Sequence, residues 1–307
     1  MNLFSALLVI AGLCLFEIIS SIDNAIINAE VLTTMGQKAR RWFLIWGILI
    51  AVFVIRGFLP WLIVWSVNPA LGPLGALTAS FSSDPAVVAA VESSAPILLA
   101  GGGIFLIFLF LHWLFLEDKN FGLPKTEKFF LRQGVWFYAV VSLMLTLVSW
   151  FALQRDAMMA FGAIVGSTAF FITHGFKQNA EENEKKLLGS NYSDISKIFY
   201  LEIIDATFSI DGVLGAFAFT LSIPLILIGN GLGAIVVRQL TITGISQIRK
   251  YLYLKNGAMY SIVALGIIML LRAFGFQLPE WLSPVITFGI IGFFYSKSRQ
   301  HLASVSA

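Results

Sequence analysis

The sequence predicts an all-α polytopic membrane protein of about nine transmembrane helices with an inverted internal repeat, and three observations predict it. The chain is 58% hydrophobic and 12% charged, with a mean hydropathy of +0.86, far from the balance of a soluble domain. Its apolar residues gather into runs long enough to cross the roughly 30 Å hydrocarbon core. Ser21-Ile22-Asp23 in the first run returns as Ser209-Ile210-Asp211 in the sixth. Runs this long and continuous satisfy their backbone as helices rather than as barrel strands. Residues 1–307 read as one membrane domain: a first half at 1–176, a cytoplasmic linker at 177–197 and a second half at 198–307.

The first span, 3 to 31, is expected to stay in the mature chain, because no basic residue precedes it and it carries Glu17, Asp23 and Asn24. The second, 42 to 67, holds Arg56 deep in apolar sequence. The stretch 68–94 is rich in Gly, Ala, Ser and Pro, with Asp84 and Glu92 as its only charges, and reads as an external loop or a short re-entrant element. Spans three to five follow at 95–116, 133–153 and 157–176, with His112 and His174 near inner ends, where either could join a proton path. The linker mixes Glu181, Glu182 and Glu184 with Lys185 and Lys186 and reads as a solvated segment. Span six, 197–222, carries Glu202, Asp205, Ser209 and Asp211, and span seven, 225–247, carries Arg238. Spans eight and nine are 257–276 and 282–296, with Arg272 as an external anchor. Cys14 is the only cysteine, which excludes an intramolecular disulfide and a multi-thiolate metal site. Trp42, Trp61, Trp65, Trp150 and Trp281 fit an interfacial belt.

Placed on this map, sixteen of the twenty basic residues fall in every second connection and at the C-terminus. By the positive-inside rule the chain sits in the cytoplasmic (inner) membrane with its N-terminus outside and its C-terminus cytoplasmic.

An ionised carboxylate in hydrocarbon costs at least roughly 2.5 to 3.5 kcal/mol, so the acids of spans one and six need partners, water or a cation. Glu17, Ser20, Ser21 and Asn24 form one helical stripe, and Glu202, Asp205 and Ser209 form another. The repeat aligns Glu17 with Asp205, and the two spans run in opposite directions, the plan of many secondary transporters. Asp23 and Asp211 each lie six residues beyond the aligned acid, about 120° off the stripe. Local unwinding would turn them inward; Gly212 and Gly215 favour it in span six, whereas no glycine stands near Asp23. Glu17, Asp23, Glu202, Asp205 and Asp211 sum to minus five, and Arg56 and Arg238 return plus two. A divalent cation, protons or both in alternation would neutralise the remaining minus three, and their competition for the same oxygens would couple an exchanger. Carboxylates with amide and hydroxyl oxygens suit Mg2+, Ca2+ or Mn2+.

The two motifs resemble those of TerC-type membrane proteins: Glu17 followed by Ser21-x-Asp23-Asn24-Ala25, and Glu202-x-x-Asp205-x-x-Phe208-Ser209-x-Asp211. Arg56 with Pro60 four residues on, and Arg238 in the span after the second motif, are similar further marks. The resemblance is concentrated in spans one, two, six and seven. It implies a membrane transporter, with manganese export the best-known activity of a family named for tellurium resistance. Carried over residue by residue, it implies a metal site of Glu17, Asp23, Asn24, Asp205 and Asp211, supported by Ser20, Ser21, Arg56, Glu202, Ser209 and Arg238. Gly212-Val213-Leu214 stands where Ser-Val-Pro is usual. With its extra spans and no appended soluble domain, the chain resembles a divergent branch.

The expected function is therefore export of a hard divalent cation, Mn2+ first, by alternating access with proton exchange. No organic cofactor, nucleic-acid partner or enzymatic activity is expected. Two alternatives stand beside it: a proton-coupled exporter of a small organic solute, and a structural membrane protein whose acids form buried ion pairs with Arg56 and Arg238. An intramembrane aspartyl protease would need Gly-x-Gly-Asp, and Phe208-Ser209-Ile210-Asp211 does not supply it.

Overall fold

A computed structural model describes residues 3–47, 50, 58, 61–62, 65–66, 69–79, 85–188, 192–243 and 250–306, and among them there is no strand. Arg56, Pro60 and Asp84 lie outside the described residues, as does most of the second span.

The first polar motif shapes the chain at once. The run expected as one span divides into α1 (Leu3–Ser20) and α2 (Ile22–Thr33) at Ser21, whose φ is −91° and ψ 4°. Two serine hydroxyls fold back on the preceding turn: Ser20 Oγ donates to the Glu17 carbonyl at 3.3 Å and Ser21 Oγ to Glu17 Oε1 at 2.8 Å. Such back-bonding bends helices. The backbone ladder survives, with Ser21 N–H on Glu17 O at 3.1 Å and Ala25 N–H on Ser21 O at 2.9 Å, so the break is a kink. Cations close the far end of α2, as its dipole favours. Arg40 donates to the Leu32 carbonyl at 2.9 and 3.1 Å, and Lys197 to Thr34 Oγ1 at 2.9 Å. α3 (Gln37–Trp42) then runs into a π-helical turn, Phe43–Gly47.

The stretch expected as a loop or re-entrant element holds α4 (Gly72–Ala79) and the start of α5 (Pro85–Leu116), which continues through Pro96. α6 (Pro124–Arg132) is a short helix in the next connection, followed by α7 (Phe137–Leu153) and α8 (Ala157–Leu188). Helix α8 takes up most of the segment expected as a linker. α9 (Asp194–Ala216), α10 (Ile223–Thr243), α11 (Leu254–Ala273) and α12 (Leu282–Ser306) complete the chain.

Six segments among the described residues are long and apolar enough to cross a membrane: Leu3–Ser20, Ser93–Leu116, Gly134–Leu153, Ala157–Asn179, Ile223–Thr241 and Leu254–Ala273. This is a helical, multi-pass membrane architecture. α9 falls outside the six because Asp194, Lys197, Glu202, Asp205 and Asp211 interrupt its apolar sequence.

Helix α5 lies between α8 and α11, and α1 packs along α10 and α12. Gly101 brings α5 against α8 backbone to backbone: a Cβ there would sit 2.7 Å from the Gly162 carbonyl oxygen. Small residues serve this close approach where apolar burial from water is not the driving force. Trp113, Phe105, Phe108 and Phe170 fill the core beside this contact, whereas Leu143, Leu147, Trp150 and Phe151 of α7 face outward. A nearly wholly apolar cavity of about 410 Å³ lies between α5, α8 and α9, lined by Ile97, Gly101, Phe161, Val165, Ile210 and Leu214.

Helix direction sets the site. Leu13 meets Gly229 and Glu17 meets Gly233, so α1 and α10 run parallel; Phe16 meets Gly215 and Glu17 meets Gly212, so α1 and α9 run antiparallel.

Candidate cation site

The site grows from the kink. Glu17, on the last turn of α1, is buried among α1, α9 and α10. A Cβ at Gly233 would sit 2.6 Å from Glu17 Cβ, and one at Gly212 would sit 2.9 Å from Glu17 Oε2. These glycines make room for the carboxylate. Beyond the kink, Asn24 and Asn28 stand one turn apart on α2 and both donate to Asp205 Oδ1 of α9, Asn28 at 3.0 Å. Asp205 Oδ2 lies 3.5 Å from Arg238 Nη2 of α10, with both side chains buried. Arg238 in turn stacks over the Phe43 ring, 4.2 Å from its centroid, on the π-helical turn. Such turns are frequent at functional sites. Glu202 lies one turn before Asp205, with Oε1 against Gly47.

Ser209 and Ser20 do not reach the carboxylates. Ser209 Oγ donates to its own helix at the Asp205 carbonyl, 2.5 Å, and Ser20 to the Glu17 carbonyl. Asn28 is the residue that the sequence reading passed over. Its signal was present, because the stripe of Glu17, Ser21 and Asn24 continues to position 28 at the next i+4 step.

Among the described residues beside Asp205, Glu202 and Asp205 carry minus two formally and Arg238 plus one. Among the described residues, Asn24 Oδ1, Asn28 Oδ1 and both oxygens of Glu202 are buried with no hydrogen-bond partner. A buried polar atom left so is costly unless something else satisfies it. Among the described residues no group of three or more His, Cys, Asp or Glu side chains is arranged to hold a metal. The donors that meet are carboxylates with carboxamides.

Asp23 and Asp211 lie elsewhere. Asp23 Oδ2 is 2.9 Å from Lys255 Nζ, which also lies 3.2 Å from Glu117 Oε2. Glu117 Oε1 is 3.3 Å from His112 Nδ1, and the His112 ring packs on His174 with centroids 3.9 Å apart. Asp211 Oδ2 pairs directly with Lys177. The single cavity drawn from the sequence for all the acids is therefore not what forms. Helix α9 stays unbroken through Gly212 and Gly215, so its two aspartates point about 120° apart. The two glycines act instead as seats for Glu17 and for the Phe16 ring, which would lie 2.5 Å from a Cβ at Gly215. The kink falls in α1, where no glycine marks it. Burial alone would raise the Glu117 carboxyl, but the His112 hydrogen bond and the Lys255 charge bring it down to about 2. Burial lowers Lys119 nearby to about 8, against the attraction of Glu117.

A family model described as "Protein of unknown function (DUF475)" matches residues 22–302, and the chain belongs to that family. No curated protein and no solved structure matches it.

Proposed function

We propose that this DUF475-family chain is a secondary transporter that moves a hard divalent cation, Mn2+ ahead of Mg2+ or Ca2+, outward across the cytoplasmic membrane, with Asp205 at the centre of its site. One observation carries the reading: the buried Asp205 carboxylate of α9 receives two carboxamides from α2, the continuation of the antiparallel α1, in a neighbourhood where, among the described residues, Glu202 and Asp205 outweigh Arg238.

The carboxamides supply a mechanism. Asn24 and Asn28 donate their NH2 groups to Asp205. Half a turn about each last torsion exchanges nitrogen for oxygen, and the same three side chains then offer a cation three hard donors. Arg238 is the counter-charge that Asp205 keeps when the cation leaves, and protons competing for the same oxygens provide the exchange.

Internal symmetry supports the inverted repeat. Asp205 follows Glu17 by 188 residues, and Gly212 follows Asn24 by 188. Exchanging the halves therefore turns the contact of Asn24 with Asp205 into that of Gly212 with Glu17, and both contacts form. A two-fold axis between α1 and α9 has this consequence. Glu17, Asn24 and Asp205 are among the residues through which the motifs resemble TerC-type proteins, alongside Asp23 and Asp211, and that resemblance is what favours manganese.

Asp23 and Asp211 take the structural reading. Lys255 and Lys177 neutralise them, and we assign them to holding α2 to α11 and α9 to α8.

Uptake of radiolabelled manganese into inverted membrane vesicles tests the function. Native chain should accumulate the ion, and Asp205→Ala should fall to the background of vesicles lacking the protein. Equal uptake by the two would remove the proposal.

A further inference from the structure

We propose that the outer face of α6 binds the phosphate headgroup of an anionic phospholipid, a role independent of what the chain transports. Helix α6 sits in the connection between two membrane-crossing segments, Ser93–Leu116 and Gly134–Leu153, so its place is at the edge of the bilayer. Lys125, Lys128 and Arg132 are spaced i, i+3 and i+7, on one helical face. All three are exposed.

What makes this face a binding surface is the fate of the one acid on the helix. Glu127 points to the opposite side and is fully buried. There it accepts the Leu123 N–H at 3.0 Å and the Asn256 carboxamide at 3.1 and 3.2 Å. The outer face is left with three cations and no anion. Among the described residues none of the three forms an ion pair; Lys128 lies over the Phe121 ring at 5.2 Å. With Pro124, Phe129 and Gln133 they wall a shallow, open cleft of about 450 Å³.

Charge selects phosphate, because a guanidinium offers it paired donors and two ammonium groups add point charges. The apolar surroundings select phosphate carried on a lipid. Phe129, Val135 and Trp136 are 59%, 84% and 60% exposed beside the cations, a composition suited to the headgroup layer.

Native mass spectrometry of the purified full chain in detergent, with added phosphatidylglycerol or phosphatidylcholine, tests the site. Each single Gln substitution should weaken phosphatidylglycerol binding about fivefold and K125Q/K128Q/R132Q together on the order of a hundredfold, with phosphatidylcholine unaffected. K125R/K128R should retain binding, and so should K38Q/R41Q, which removes exposed charge elsewhere. Undiminished binding by the triple variant, an equal loss in K38Q/R41Q, or a loss in K125R/K128R overturns the proposal. Displacement of the lipid by millimolar inorganic phosphate also overturns it, since the occupant would then be a free anion.

Discussion

Asp205 and Asp211 stand six residues apart on one unbroken helix, are 6% and 8% exposed, and have opposite surroundings. Asp205 is shared between two carboxamides and an arginine at 3.5 Å, whereas Asp211, among the described residues, is held by the Lys177 ammonium group. A carboxylate shared among neutral amides and an arginine at 3.5 Å can exchange them for a cation; one paired with a lysine must first break that ion pair. Burial of an acid in a membrane helix thus marks a site only when its neighbours are known.

The comparison can be broken most severely at Asp205. Asp205→Ala should abolish cation flux and, by removing the buried carboxylate beside Arg238, destabilise the protein by about 3 kcal/mol in detergent unfolding. At the other aspartate, Lys177→Met should cost a similar about 3–5 kcal/mol without a direct loss of cation affinity, and Lys177→Met with Asp211→Leu should recover most of it. Failure of that rescue would show that Asp211 does more than pair.

The contrast also marks the limit of what the sequence made legible. The helical class, the opposed directions of the two motif helices and the meeting of Asn24 with Asp205 could be read from apolar runs and polar stripes. Lys177 and Lys255 could not be seen as partners, because a map based on charge put them in connections, whereas α8 runs on to Leu188 and α11 starts at Leu254. The kink falls where Ser20 and Ser21 bond back to Glu17, and no glycine marks that position. Helix α6 is nine residues long, too short for a periodic signal to stand out from a charged connection.

Smaller effects sharpen the picture. Asn28→Ala removes one of the two donors to Asp205 Oδ1 and should cost about 1–3 kcal/mol in unfolding while weakening cation binding. Lys255→Gln should cost at most about 1 kcal/mol, and less at high salt, because Lys255 and Asp23 are 38% and 43% exposed. Glu117 should give a signal that is one of pH. Its carboxyl is lowered from 4.5 to about 2, so its stabilisation is complete above about pH 4.5 and is lost as pH falls toward 2. Glu117→Gln should flatten the unfolding midpoint across that window.

The most direct test of a cation held at Asp205 is equilibrium binding of Mn2+ to the purified chain, followed by the electron paramagnetic resonance of free ion, for native protein, Asp205→Asn and Asp211→Asn. Asp205→Asn should lose affinity by at least about tenfold, while Asp211→Asn should stay close to native. Undiminished binding by Asp205→Asn together with a loss in Asp211→Asn would contradict the site and move it to the lysine-paired aspartate.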